Sequence, residues 1–98
     1  MASKREIKKE VNFLFEEMIA DAMIIRDIKN DDNRQKAVES LIMKSVEKHE
    51  DLITRINHYR LIHKENQTPK QYFNDIAKEA IDFFNDTYKQ LNDIIQEK

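Results

Sequence analysis

This chain of 98 residues has no glycine, no cysteine and no tryptophan, and it has a single proline. The missing glycine is the most restrictive, against an average usage of about 7%. Hairpin turns with positive φ, Rossmann-type phosphate loops and P-loops rely on glycine where the backbone turns tightly or meets a ligand. Those sites are essentially excluded. Without cysteine there are no disulfides, thiolate zinc sites or cysteine nucleophiles, which fits a reducing compartment. Long apolar runs are missing as well, since no stretch approaches the roughly eighteen residues of a membrane span. The opening "MASKREIKKEV" lacks the apolar segment that follows the positive charges of a secretory signal. Cytoplasmic residence, away from membranes, is the expectation.

What is present is a balance of 40% hydrophobic and 37% charged residues, the composition of a solvated globule and not of a disordered tail. The length suits one domain, residues 1–98. A formal charge of −2 does not favour nucleic acid as partner, because neutralising phosphates takes a basic surface or a concentrated patch. Residues 65–98, with four basic and seven acidic side chains, are the acidic third.

The apolar periodicity predicts an all-α fold of three helices, at about 4–29, 33–64 and 69–97. Ser3-Lys4-Arg5-Glu6 reads as a capping box, with serine and glutamate satisfying each other's backbone donors. Ile7, Val11, Leu14, Met18, Ala22, Ile25 and Ile28 then recur at steps of three or four, along one helical face. Asn30 suits the left-handed position after the helix, and Asp31, Asp32 or Asn33 can cap the next one. The second stripe is Val38, Leu41/Ile42, Ser45, His49, Leu52/Ile53, Ile56, Tyr59 and His63, ending near Asn66. Thr68-Pro69-Lys70-Gln71 opens the third helix with a threonine cap, proline at the first position and glutamine at the third. Phe73, Ile76/Ala77, Ala80, Phe83/Phe84, Thr87, Leu91 and Ile94/Ile95 complete its apolar face. Long helices joined by short loops fold back as antiparallel neighbours, giving an up-down-up three-helix bundle.

All three histidines fall within "HEDLITRINHYRLIH". On a helical wheel His49 and His63 share the apolar stripe while His58 faces water. Fourteen residues separate His49 from His63, about 21 Å along an axis, so one metal with ligand bonds near 2 Å cannot be held by both. No Glu-x-x-His pair or H-E-x-x-H occurs, and neither a metal nor another cofactor is indicated. His49 is expected level with Leu14 and near Phe84 and Thr87, one turn above Ser45. A Ser45–His49 nucleophile and base, with Thr87, is the enzymatic reading. The alternative is a polar trio whose members satisfy one another within an apolar core. Nothing supplies an oxyanion hole or an acid to orient the imidazole, so the chain is read as non-enzymatic.

Two surfaces exceed what an isolated bundle requires. In "MIADAMIIRDI", Ile19 and Met23 form an i,i+4 pair off the core stripe, and Ala20 and Ile24 lie on another flank with Phe13. Such a helix either touches two neighbours or offers a packing surface to a protein partner or a second copy. On helix 3, Asp75, Glu79, Asp82, Asp86 and Asp93 form an acidic face opposite the apolar stripe. Repeated like charges at i,i+4 are mildly destabilising, and the face is either simply solvated or a strip for a basic partner. Lys4, Arg5, Lys8 and Lys9 form a small basic patch that could meet it in another copy. No aromatic is placed there to stack bases.

The opening "SKREIKKEVNFLFEEMIADAMI", followed by a long helix and an acidic final helix, is similar in layout to short helical proteins of bacteria whose function is unknown. That resemblance implies an all-helical fold and cytoplasmic residence, and carries no activity or functional residue. The leading expectation is a small helical bundle acting through protein–protein contacts, with itself or a cytoplasmic partner, around Ile19, Met23, Phe13 and Ile24. No small-molecule substrate is indicated. An enzyme centred on His49 is the alternative, and weak nucleic-acid association comes third.

Overall fold

A computed structural model describes residues 4–28, 31–62 and 66–96. The fold is all-α. Among the described residues there are four helical segments and no strand: α1 (Lys4–Ile28), α2 (Asp32–Asn57), α3 (Tyr59–Ile62) and α4 (Pro69–Gln96). The molecule measures 50 × 21 × 19 Å, close to the ~42 Å expected of a helix the length of α4.

The ends of these helices follow from local chemistry. Of the three caps possible before α2, Asp31 takes the role. Its extended backbone (φ −97°, ψ 121°) lets the carboxylate accept from the Asn33 N–H at 2.8 Å and the Arg34 N–H at 3.4 Å, two donors that the first helical turn leaves without partners. At α4 the reciprocal cap expected from the sequence is in place. The Gln71 N–H donates to Thr68 Oγ1 at 3.2 Å, and the Thr68 N–H to Gln71 Oε1 at 3.1 Å. Asn66 has φ 69°, the left-handed conformation that asparagine tolerates best in the absence of glycine. Ser3, Asn30 and His63 lie outside the described residues.

The single helix expected over 33–64 is interrupted. At His58 the backbone leaves helical geometry (φ −116°, ψ 33°). Its N–H donates to Thr54 O at 3.0 Å, and its ring Nδ1 reaches the same carbonyl at 2.7 Å. The chain restarts with a tight turn, Leu61 N–H to His58 O at 3.0 Å. Ladder bonds lost at this break are offset by an aromatic cluster. Tyr59 packs edge-on to Tyr72, centroids 5.0 Å apart, lies 5.7 Å from Phe73, and donates its hydroxyl to Gln67 O at 3.1 Å. Periodicity did not register the break because the apolar stripe runs straight through it.

Cross-helix contacts set the directions. Along α1 and α2 the pairs are Lys8–Asn57, Asn12–His49 and Arg26–Gln35, one number rising as the other falls, so these helices are antiparallel. The same holds for α2 and α4 through Arg55–Tyr72 and Lys48–Glu79. Helices α1 and α4 run parallel, through Phe15–Phe83 and Asp21–Tyr88.

Ten buried residues, among them Ile7, Val11, Phe15, Met18, Leu52, Ile56 and Ile76, form the larger core cluster, and Ala22, Val38, Leu41 and Leu91 form a smaller one at the other end. Among the described residues the buried polar ones are Ser45 and Thr87. Two details differ from the expected stripe on α1. Phe15 is wholly buried while its neighbour Leu14 is only half-buried, and Ile28 is 68% exposed. The helix is rotated so that Phe15 fills the space between α2 and α4. Burying a ring removes more apolar area from water than burying a leucine.

Candidate interaction surface

Helix α1 has two neighbours, so two flanks of it are consumed. Toward α2, Lys8 Nζ donates to Asn57 Oδ1 at 3.3 Å, and Asn12 Oδ1 pairs with His49 Nε2 at 2.7 Å. Toward α4, Asp21 accepts from the Tyr88 hydroxyl. What remains is the outward face. There Phe13 is 62% exposed and Ile24 56% exposed, and Met23 is exposed as well. Ile19 is half-buried, turned partly into the α1–α2 seam. Thus Phe13, Met23 and Ile24 lie open to solvent, while Ile19 is at the edge.

Two concavities border this face. One, of about 480 Å³, is lined by Arg5, Lys8, Lys9, Asn12, Phe13 and Glu16, all from α1. The other, of about 280 Å³, runs between α1 and α4, with Ile25 and Leu91 along it and Ile24 and Ile95 at its edges. The basic patch expected at the start of α1 therefore adjoins an exposed phenylalanine, which charge counting alone would not reveal.

The acidic face of α4 divides. Asp75, Asp82, Asp86 and Asp93 are exposed, but Glu79 turns into the α2–α4 seam, where it pairs with Lys48 and, at 2.8 Å, with Arg55 Nη2. Arg55 also lies 3.3 Å from Asp51 one turn back on α2, and its carbonyl accepts from the Tyr72 hydroxyl at 2.7 Å. Burial alone would raise the Glu79 carboxyl, but hydrogen bonds from Lys48 and Arg55 outweigh it and hold the group below its ordinary value. Burial would likewise make the Arg55 guanidinium easier to deprotonate, and Glu79 and Asp51 reverse that. Glu79 is thus a clasp between helices and not part of an open strip. Its i,i+3 and i,i+4 spacing with exposed aspartates concealed that role, because helical position alone cannot identify a cation on a neighbouring helix.

Tyr88 was not among the residues singled out from sequence, yet its hydroxyl bridges α4 to α1. Its phenol is pushed well above the ordinary range, by burial first and then by the hydrogen bond to Asp21. The clue was an aromatic at the flank of the α4 stripe, three residues before Leu91.

Of the polar trio expected in the core, Ser45 and His49 take other partners. Ser45 donates to the Leu41 carbonyl one turn back, at 2.7 Å, a common bond for serine inside a helix. His49 is half-buried, pairs with Asn12 and stacks on Phe15, centroids 5.4 Å apart. Thr87 is buried on α4. His58 is exposed, on the water-facing side as expected. Among the described residues no cluster of three His, Cys, Asp or Glu could hold a metal ion, and no helix is long and apolar enough to cross a membrane.

No protein family, curated protein or solved structure matches this chain.

Proposed function

We propose that this protein is a small, non-enzymatic, cytoplasmic helical bundle that acts by docking another protein surface against the outward face of α1. In this reading α1, α2 and α4 are the three rods of an up-down-up bundle, with the break at His58 a local interruption of the middle one. Supporting that arrangement, numbering rises on one helix as it falls on the next along α1–α2 and α2–α4. The observation that carries the docking reading is the exposure of Phe13, Met23 and Ile24 on a helix that gives Ile7, Val11, Phe15, Met18 and Ala22 to the core on its other side. Large apolar side chains gathered on one exposed helix face mark contact sites more often than singly scattered ones do.

The enzymatic alternative, with Ser45, His49 and Thr87, has less support. A serine whose proton is engaged by the Leu41 carbonyl is not poised toward His49, and a candidate base should lie within hydrogen-bond reach of the proton it takes. The test of the leading reading is molar mass in solution for the wild type, for Ile19→Asp with Met23→Asp, and for Phe13→Asp with Ile24→Asp, with circular dichroism to confirm folding. Loss of self-association in a folded variant places the interface on α1. An oligomer of unchanged mass in both variants moves the interface elsewhere and refutes the proposal.

A further inference from the structure

The outward face of α1 carries a second periodic line besides the one that feeds the core. Lys9, Phe13, Glu16, Ala20, Met23 and Asp27 follow one another at steps of 4, 3, 4, 3 and 4, the spacing of a coiled-coil seam. Advancing ~100° per residue, they cluster within an arc of about 80°, centred opposite Met18. All six are exposed. The line is also self-complementary when reversed. Pairing residues whose numbers sum to 36 sets Lys9 against Asp27, Phe13 against Met23 and Glu16 against Ala20.

Charge is distributed to match. Residues 4–15 hold four basic and two acidic side chains, and residues 16–28 hold one basic and four acidic. Two antiparallel copies of α1 therefore bring a positive half to a negative half at both ends, whereas parallel copies set like against like. The same register puts Ile24 of one copy over Asn12 of the other, at the concavity bounded by Lys9, Asn12, Phe13 and Glu16. Among the described residues Asp27 pairs with its sequence neighbour Arg26 at 3.3 Å, and its side chain is 72% exposed, which leaves it accessible to a lysine from outside.

We propose that a second copy of this chain pairs with the first through antiparallel α1 helices, about a two-fold axis at the level of residue 18. This rests on the docking reading above and specifies its partner, face and register. The interface is isologous, so each contact occurs twice: two Lys9–Asp27 pairs at the ends and two Phe13–Met23 contacts between them. From residue 9 to residue 27 the seam is about 27 Å long. One helix pair of that length lies at the small end of specific interfaces, so dissociation is expected in the micromolar range or weaker. Glu16, facing Ala20 with its own symmetry mate nearby, is the one residue working against the seam.

The test is sedimentation equilibrium of the full chain from ~10 μM to ~1 mM, for the wild type and for Lys9→Glu, Asp27→Lys, the two combined, Glu16→Ala and Phe13→Asp with Met23→Asp. Each variant is checked for helicity by circular dichroism. Expected are a wild-type dimer that weakens with salt, weakening of about tenfold by each single charge reversal, recovery in the swapped double variant, and tightening by Glu16→Ala. A wild type that stays monomeric throughout overturns the pairing while leaving docking of a different protein intact. A dimer indifferent to both charge reversals but dissociated by Phe13→Asp with Met23→Asp overturns the antiparallel register and retains the face. A dimer that no α1 variant disturbs refutes both.

Discussion

Replacing Phe15 by alanine tests the orientation of α1, on which every statement about its outward face depends. Phe15 has no exposed surface and lies between two rings, His49 at 5.4 Å and Phe83 at 5.6 Å. Truncation removes its apolar transfer energy, leaves a cavity, and deletes both aromatic contacts. Phenylalanine-to-alanine changes in cores cost about 3–5 kcal/mol. At roughly 0.05–0.15 kcal/mol per residue, a chain of this size has about 5–15 kcal/mol in total, so the variant should lose at least about a fifth of its stability, and all of it at the low end of that range. Phe13→Ala, two residues away on the exposed side, should change stability by no more than about 0.5 kcal/mol. Urea unfolding followed by circular dichroism reads both, with the slope against denaturant checked for constancy. Should Phe13→Ala carry the large cost and Phe15→Ala the small one, the helix is turned by nearly half a rotation from the placement described, and the docking face goes with it. Phe15→Leu separates volume from aromaticity, because most of the apolar burial survives and the loss should fall to about 1–2 kcal/mol.

Two further predictions concern pH. The Glu79 carboxyl lies below its ordinary value of 4.5 in the fold, so its ionised form stabilises the native state above that pH, and the contribution disappears as pH falls through the lower native value. Glu79→Gln should lose no more than about 1 kcal/mol at neutral pH, since the pair is partly solvent-screened. The gap to wild type should close below pH 4.5, whereas an offset constant from neutral to strongly acidic pH would refute the clasp. Tyr88 is displaced in the opposite sense, above its ordinary value of 10.0, so its stabilising effect is complete below that pH and is lost as pH rises toward the native value. Ultraviolet titration of the phenols should show the last-ionising tyrosine vanish in Tyr88→Phe, and its persistence there would assign the displaced phenol to another residue.

Much of the architecture was legible in the chain because helix signals are local. A threonine–proline–glutamine start, an aspartate before the second helix and an asparagine able to adopt positive φ each act within a few residues of themselves. Steps of three and four placed Ile7, Val11, Met18, Val38, Leu52, Ile56, Ile76 and Leu91 in the interior. Harder to foresee was which of two adjacent residues points most directly inward. Leu14 and Phe15 differ by ~100° on the wheel, and only the presence of two neighbours for α1 decides for the phenylalanine. The break at His58 is hidden for a similar reason. There the His58 side chain turns back to the Thr54 carbonyl, and Tyr59 meets aromatic partners that come from α4. Glu79, Tyr72 and Tyr88 acquire their roles from residues 17 to 67 positions away in the sequence, which no local pattern encodes.

The polar side chains near the core illustrate why the functional reading rests on surfaces. Ser45 returns its proton to its own helix, Tyr72 donates to the Arg55 carbonyl, Tyr88 to Asp21, and His49 pairs with Asn12. Breaking any of these leaves a polar atom to be satisfied elsewhere, and burial without a partner costs about 1–3 kcal/mol. Groups so committed resist the changes of partner and protonation that a catalytic cycle demands. Exposed apolar side chains on α1 carry no such commitment: covering Phe13 and Met23 removes apolar area from water and breaks no hydrogen bond within the bundle. On the proposed docking reading, binding at that face would need little rearrangement of the fold. Its strength is set by how well a partner matches the apolar centre and the oppositely charged ends of the helix.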